Sequence, residues 1–221
     1  MLQAALFDMD GVIVDNRDAH LHAFEHFAAR HGIPDLDART LLPCFGSTNA
    51  VIMARLFGRD DLPADEVERL SREKEEIYRE LYDPIMRPAE GLVDLLEALR
   101  AAGVRIAVGS SAPRVNVDFV LERCGIAPYF DAVASGSEIT RSKPDPEVYL
   151  LAADKLGVDP HDCVVFEDAF VGMEAARRAG AKVVAIASTF PRETIEARGD
   201  YDLLIDRFED TSVAGLKRLW A

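Results

Sequence analysis

Short apolar runs, most of them preceded by an amphipathic stretch, recur along this chain and restrict the folds that it can adopt. The runs are residues 4–7, 104–108, 164–166 and 183–186. They lack the alternation of polar and apolar residues that half-exposed strands show, and unbroken runs are typical of buried parallel strands. We therefore predict an α/β fold, a Rossmann-like parallel sheet with helices on both faces. Residues 131–134 and 203–205 are candidates for two further strands.

One long stretch interrupts the succession of predicted strands and helices, because it has helical periodicity and loops but no strand candidate. Within it we predict helices at residues 19–31, 48–57 and 64–82, the last highly charged on its outer face. A helical insertion after the first strand is expected to act as a lid. We therefore predict a catalytic core formed by residues 1–14 and 86–221, and a small inserted helical cap formed by residues 15–85.

Polar side chains follow the predicted strands at the sheet edge where parallel sheets bind ligands. Asp8 and Asp10 come directly after the first strand, two positions apart, so both can face one atom, and Gly11 permits a sharp exit. The other strand ends carry Ser110 and Ser111, Lys143, and Glu167 and Asp168.

Carboxylates that converge with one lysine and one hydroxyl have the composition of a Mg²⁺ site that also holds a phosphate. A carboxylate can attack phosphorus only if cations neutralise the repulsion, which Mg²⁺ and Lys143 would do. The departing alkoxide needs a proton, and a second carboxyl group can give it and later activate water. We therefore predict that Asp8 attacks and that Asp10 transfers the proton.

Each of these residues alone has a simpler explanation. Asp8 and Asp10 could belong to a solvated turn, Glu167 and Asp168 to surface charge or a helix N-cap, and Lys143 could be a solvated lysine. A calcium loop does not fit, since Ala19 stands where its twelfth, acidic residue is needed. Their shared position at one predicted sheet edge favours the catalytic interpretation.

Four segments resemble, in order and spacing, the signature motifs of the haloacid dehalogenase superfamily. They are Phe7-Asp8-Met9-Asp10-Gly11-Val12, Gly109-Ser110-Ser111, Ser142-Lys143-Pro144 and Phe166-Glu167-Asp168. The likeness spans nearly the whole chain and is to the branch of beta-phosphoglucomutase and small sugar-phosphate phosphatases. It implies that Asp8 is the nucleophile and Asp10 the acid and base. It also implies Ser110 and Lys143 as phosphate anchors, and Asp8, the Asp10 carbonyl, Glu167 and Asp168 around Mg²⁺.

The cap residues bear on the choice between phosphatase and mutase. The mutase pattern has Gly-x-Ser-Arg where this chain reads Gly46-Ser47-Thr48-Asn49. Asparagine cannot make the paired, charge-assisted hydrogen bonds that arginine makes to a distal phosphate, which favours a phosphatase. The candidate substrate-binding residues are His20, Gly46, Asn49, Lys74 and Ser111. Two of them have alternative interpretations: His20 as a packing or hinge residue, and Lys74 as a solvated lysine.

Charge and composition argue against several partners. The formal net charge of −14 leaves no basic stripe, so we expect neither nucleic acid nor a membrane surface as a partner. The three cysteines have no C-x-x-C spacing, no apolar run is long enough to cross a bilayer, and the first residues resemble a strand rather than a signal peptide. We expect a cytoplasmic monomer.

The leading hypothesis is a Mg²⁺-dependent phosphomonoesterase that acts on a small phosphorylated metabolite, such as a sugar phosphate. A beta-phosphoglucomutase-like phosphomutase is the alternative. A non-catalytic phosphoacceptor module is a third hypothesis, against which the predicted cap argues.

Overall fold

The computed structural model describes residues 1–33 and 36–221. Within them one parallel sheet has six strands, in the spatial order β3-β2-β1-β4-β5-β6. Because the order reverses on either side of β1, the sheet is doubly wound, and the predicted Rossmann-like α/β fold is confirmed. The strands are β1 (Ala4–Phe7), β2 (Arg105–Gly109), β3 (Ala132–Ala134), β4 (Cys163–Glu167), β5 (Lys182–Ile186) and β6 (Leu203–Ile205).

The central strand β1 explains why the apolar runs are unbroken. Its residues alternate between two buried layers: Ala5 and Phe7 belong to one, Ala4 and Leu6 to the other. Because both faces of the strand are buried, every position favours an apolar residue. Phe7 also stacks on Phe166 of β4, with ring centroids 4.5 Å apart. The two strand ends that bear carboxylates are thereby fixed side by side.

Helices follow most strands and cover both faces of the sheet. The face beneath α6, α7 and α8 is the smaller apolar layer, whereas α4, α5 and α9 pack on the other face. No helix in the described part of the chain is long and apolar enough to cross a membrane. These helices are α4 (Leu92–Ala101), α5 (Arg114–Arg123), α6 (Glu147–Leu156), α7 (Phe170–Ala179), α8 (Arg192–Arg198) and α9 (Val213–Lys217).

Among the described residues between β1 and α4 there are three α-helices, where the sequence predicts three helices: α1 (Arg17–Arg30), α2 (Asn49–Phe57) and α3 (Ala64–Tyr82). A 3₁₀ segment, Ala38–Cys44, precedes α2. No described residue of this stretch forms a strand. Helix α3 packs against both α1 and α2. This arrangement places a helical layer beside the strand ends, and the division into core and cap remains a prediction.

Candidate active site

The carboxyl ends of β1 and β4 bring three carboxylates together. Asp8 follows β1, Glu167 is the last residue of β4, and Asp168 follows it. One oxygen atom from each lies within 4.8 Å of the others, and all three residues are buried. The strands pair in parallel, with Phe7 opposite Phe166, so their ends coincide. Strand register therefore creates this cluster.

Lys143 reaches the cluster from the loop between β3 and α6. Its Nζ donates to Asp8 Oδ1 and to Glu167 Oε1, both at 2.6 Å. Burial would lower the pKa of Lys143, but the charges of Asp8 and Glu167 outweigh it and raise the pKa above its ordinary value. The lysine therefore stays charged beside Asp8, although it is itself buried.

Glu167 uses its oxygen atoms inside the protein. Besides Lys143, it accepts hydrogen bonds from the Tyr149 hydroxyl and from the backbone N–H groups of Asp168 and Ala169. With four donors already bound, Glu167 is placed to hold Lys143 and the turn into α7. It would contribute negative charge near a bound cation rather than an oxygen atom that coordinates it. Tyr149 was not predicted, since an aromatic residue at helical spacing is indistinguishable from a core residue.

The cluster carries more negative than positive charge. Burial raises the pKa of Asp8 well above its ordinary range, and Glu167 and Asp168 add to this, although Lys143 opposes it. Burial and the charge of Glu167 raise the pKa of Asp168 to about 7. Oxygen donors with excess negative charge suit a hard divalent cation, and the residues present therefore fit Mg²⁺.

Asp10 lies on the loop after β1 and faces the helices that follow. Asn16 Nδ2 donates to its Oδ1 at 2.6 Å, and His20 Nε2 lies 3.5 Å from the same atom. Burial would raise the pKa of Asp10, but the nearby His20 ring, the hydrogen bond from Asn16 and the charge of Lys74 lower it below its ordinary value. Asp10 is therefore ionised.

Gly11 lets the loops after β1 and β4 approach each other. Its φ of +81° is a conformation that glycine adopts readily, and a Cβ atom there would lie 2.0 Å from Asp168 Oδ2. The Ser188 hydroxyl donates to the Gly11 carbonyl at 2.6 Å and lies 3.4 Å from Asp168 Oδ2. Three strand-end loops thus support one another at the site.

Lys74 lies in the interior, so its interpretation as a solvated lysine is wrong. It is 1% exposed and donates to Glu75 Oε1 at 2.7 Å, and its Nζ is 3.0 Å from His20 Nδ1. The reason is its position on α3, four residues from Leu70 and from Tyr78, which are buried on the same face. His20 also stacks on Tyr78 at 4.0 Å between centroids.

The loop before α2 contacts the strand ends directly. The Ser111 hydroxyl donates to the Gly46 carbonyl at 2.7 Å, and the Thr48 N–H donates to Ser142 Oγ at 2.9 Å. A Cβ atom on Gly46 would lie 2.9 Å from Ala169 Cβ. Glycine at this position therefore permits close packing.

Most of the predicted site residues line one cavity of about 50 Å³. A water molecule needs about 10–15 Å³, so this space holds a phosphoryl group or a few waters rather than a whole sugar phosphate. Lys143 contacts Asp8 from beside this cavity, and Asp168 lines a smaller cavity next to it. The predicted residues on its walls are Asp8, Asp10, His20, Gly46, Asn49, Lys74, Ser110 and Ser111.

The chain is similar to known phosphate-handling proteins over most of its length. It is 32% identical over 185 residues to N-acetylmuramic acid 6-phosphate phosphatase of Pseudomonas aeruginosa, covering 84% of this chain and 81% of that protein. It is 32% identical over 182 residues to a phosphorylated carbohydrates phosphatase of Thermotoga maritima, covering 81% and 82%. The crystal structure of beta-phosphoglucomutase from Clostridium difficile matches with a TM-score of 0.88 and 26% identity, covering 100% and 97%.

The family description that matches is the haloacid dehalogenase-like hydrolase, over residues 5–186. This range begins in β1 and ends with β5, and it includes every motif on which the resemblance depends. The chain therefore belongs to the haloacid dehalogenase-like hydrolase family.

Proposed function

We propose that this chain is a Mg²⁺-dependent phosphatase that hydrolyses a small phosphorylated metabolite, a sugar phosphate, through a phosphorylated Asp8. The observation that carries the proposal is the 2.6 Å contact between Asp8 Oδ1 and Lys143 Nζ, in a carboxylate cluster beside the same cavity as Asp10. A nucleophile, a fixed positive charge and a second carboxylate are the groups that phosphoryl transfer through an aspartate needs.

Asp8 and Asp168 would hold the metal ion, and Glu167 would add its charge. When bound, Mg²⁺ supplies positive charge that offsets the repulsion between a carboxylate and a phosphate. Lys143 supplies the same kind of charge permanently from the protein side. The Ser110 hydroxyl, which lines the cavity, would donate to a phosphate oxygen. The Asp8 carboxylate then attacks phosphorus.

Asp10 would transfer the proton in both halves of the reaction. A bound phosphate brings negative charge close to this carboxylate and raises its pKa, so that the carboxyl group is protonated when the reaction begins. It gives that proton to the departing alkoxide, and the resulting carboxylate then takes one from the water that hydrolyses the phosphoaspartate. His20 and Asn16 orient the carboxyl group in both steps.

Residues 15–85 would act as the cap. The cavity of about 50 Å³ lies between α1, α2 and α3 on one side and the strand ends on the other, and it is too small for a sugar phosphate. A substrate would therefore enter when these helices separate from the core and would react after they close, with water excluded.

A phosphomutase remains the second candidate, because the fold matches that of a beta-phosphoglucomutase over the whole chain. The named phosphatases among the relatives favour hydrolysis. Asn49 also favours it, because its amide donates to Glu75 at 2.8 Å and cannot provide the charge that would hold a second phosphate.

Purified protein assayed with Mg²⁺ against a panel of sugar and polyol phosphates tests the proposal. We expect phosphate release from at least one sugar phosphate, complete loss of release in Asp8→Asn, and retained release in the control Asp15→Asn, whose carboxylate is exposed. Conversion of beta-glucose 1-phosphate to the 6-phosphate with a bisphosphate primer, and no hydrolysis of any ester, would show a mutase instead. A long-lived phosphoaspartate without turnover would show a phosphoacceptor module.

A further inference from the structure

Arg79 is a positive group on the wall of a second cavity, which the reaction proposed above does not use. This cavity of about 490 Å³ adjoins the small one, and the two share Asn49, Glu75, Ser111 and Pro113 on their walls. A substrate whose phosphoryl group occupies the small cavity is too large to fit there whole, so its remaining part extends into the large one. The large cavity is therefore where the site can recognise the part of the substrate that does not react.

The other charged side chains on this wall already have partners of opposite charge. Glu68 Oε1 accepts from Arg72 Nη2 at 2.8 Å, and Glu75 Oε1 accepts from Lys74 Nζ at 2.7 Å. Burial would raise the pKa of Glu75, but chiefly the charge of Lys74 lowers it below its ordinary value, so Glu75 is ionised and balances that lysine. Arg79 forms no ion pair with any carboxylate in the described part of the chain. The wall therefore carries one unbalanced positive charge.

Hydrogen bonds hold Arg79 in place without neutralising it. Its Nη1 donates to Oδ1 of Asn116 at 2.5 Å, and Asn116 is 1% exposed on α5. Asn116 Nδ2 in turn donates to Glu75 Oε2 at 2.6 Å, so this amide bridges two side chains one turn apart on α3. A guanidinium group has five N–H donors, and the bond to Asn116 leaves others for a ligand. Arg79 is thus a pre-organised cation, which loses less freedom on binding than a mobile one.

Arg79 lies further from the reacting groups than Glu75 does. Glu75 lines both cavities, whereas Arg79 lines the larger one, four residues or about 6 Å further along α3. An anionic group that meets Arg79 must therefore be at the end of the substrate opposite the phosphate. Side-chain hydroxyl groups, which suit a polyhydroxy chain between the two ends, come from Thr48, Ser71, Ser111, Ser137, Thr140 and Ser142.

We propose that Arg79 binds a carboxylate at the end of the substrate opposite the phosphate, so that the site prefers phosphate monoesters of sugar acids to those of neutral sugars. The inference rests on the proposed phosphatase function and specifies its substrate class. One carboxylate matches one unbalanced positive charge, and a guanidinium group can donate to both of its oxygen atoms. A second phosphate would bring a charge of about −1.5 to −2, so the carboxylate is the better match.

The test compares kcat/KM for gluconate 6-phosphate and for glucitol 6-phosphate, which differ in having a carboxylate or a hydroxymethyl group at the far end. We expect the wild-type protein to prefer gluconate 6-phosphate by about 10-fold or more, as expected of a hydrogen-bonded pair of opposite charges. Arg79→Gln should abolish this preference, mainly by raising KM for gluconate 6-phosphate with little change in kcat. Arg72→Gln is the matched control, because Arg72 lies on the same wall and the change in net charge is identical, but its charge is paired with Glu68.

Two kinetic results would overturn the proposal: equal kcat/KM for both esters in the wild-type protein, or the same preference in Arg79→Gln as in Arg72→Gln. The wild-type ratio tests it even if Arg79→Gln fails to fold. Calorimetric binding to Asp8→Asn adds glucitol 1,6-bisphosphate as a third ligand. Tighter binding of this bisphosphate than of gluconate 6-phosphate would also overturn the proposal, since a second phosphate would then be the preferred group.

The same calorimetry separates this inference from the proposed function. Suppose that Asp8→Asn binds gluconate 6-phosphate more tightly than glucitol 6-phosphate, and that adding Arg79→Gln removes the difference. In a protein that hydrolyses no phosphate ester, this result would support the inference and refute the phosphatase. Hydrolysis of both esters with no preference would do the reverse.

Discussion

Asp168→Asn should stabilise the metal-free protein at neutral pH, although it removes a residue of the proposed metal site. The pKa of Asp168 is about 7 in the folded chain, against an ordinary value of 3.8, because burial and Glu167 disfavour its charged form. An unfolded chain gives up this proton near its ordinary pKa, whereas the folded chain retains it up to about pH 7. Ionisation of Asp168 therefore opposes folding as the pH rises.

The size of the effect follows from the two pKa values. An acid whose folded pKa is raised gives its full contribution to stability below the unfolded pKa, and that contribution is lost as the pH rises to the folded pKa. The interval from 3.8 to about 7 is about 3 pKa units, and at about 1.4 kcal/mol per unit the loss is about 4 kcal/mol. Asparagine has the same shape and carries no charge, so the variant is spared this loss.

Urea unfolding in the presence of a chelator, at about pH 5 and about pH 7.5, measures this loss of stability. The free energy of unfolding of Asp168→Asn, relative to wild type, should rise by about 2–4 kcal/mol between the two pH values. The control Asp154→Asn, at an exposed helix position, should show no such trend. Saturating Mg²⁺ should stabilise wild type by about 2.7 kcal/mol at 100 times its Kd, and the variant much less. A difference between variant and wild type that does not change with pH would refute the reasoning.

Two further predictions concern the carboxylates of Asp10 and Glu167. Asp10→Asn should slow alcohol release from an alkyl phosphate by about 10²–10⁴-fold, but should spare the first burst of phenol from an aryl phosphate, which needs no proton to leave. Stopped-flow assays of both esters, with Asp15→Asn as the control variant, test this prediction. If Asp10→Asn slowed the first turnover of both esters equally, the role of Asp10 as an acid would be contradicted. Tyr149→Phe should lower the free energy of unfolding by about 1–2 kcal/mol, because buried Glu167 loses a donor. Urea unfolding of this variant and of the control Tyr129→Phe, which loses an exposed hydroxyl contact, measures the effect. An equal decrease in the free energy of unfolding of both variants would contradict the prediction.

The inner strands β1, β2, β4 and β5 were predictable because they are buried on both faces along nearly all of their length, so that each contains an unbroken apolar run. The edge strands β3 and β6 are only partly buried, and their sequence signal is correspondingly short. The three helices after β1 were predictable from periodicity alone, with α3 found at Ala64–Tyr82 as predicted. The strand-end carboxylates followed from one rule about parallel sheets, and the structure brings Asp8, Glu167 and Asp168 together as that rule requires. The family assignment followed from the same segments.

Side-chain partnerships across long sequence separations were not predictable. The high charge of α3 allows Lys74 to be interpreted as a solvated lysine. Its spacing of four residues from both Leu70 and Tyr78, however, already places it on the buried face of the helix. Glu75 and Asn116 are 41 positions apart, and only the packing of α3 beside α5 shows that they bond. The monomeric state and the cytoplasmic location of the chain stay predictions.

The mutual support of the loops at Gly11, Asp168 and Ser188 has a consequence for how this protein could be altered. No side chain can be added at Gly11 without striking Asp168, and the Ser188 hydroxyl links both loops, so little variation is tolerated there. Other residues of the cavity wall, such as Asn49 and Glu75, lie instead on helices outside these loops. A library randomised only at the helical positions could therefore be screened for activity on new substrates without changing the loops that hold the carboxylates.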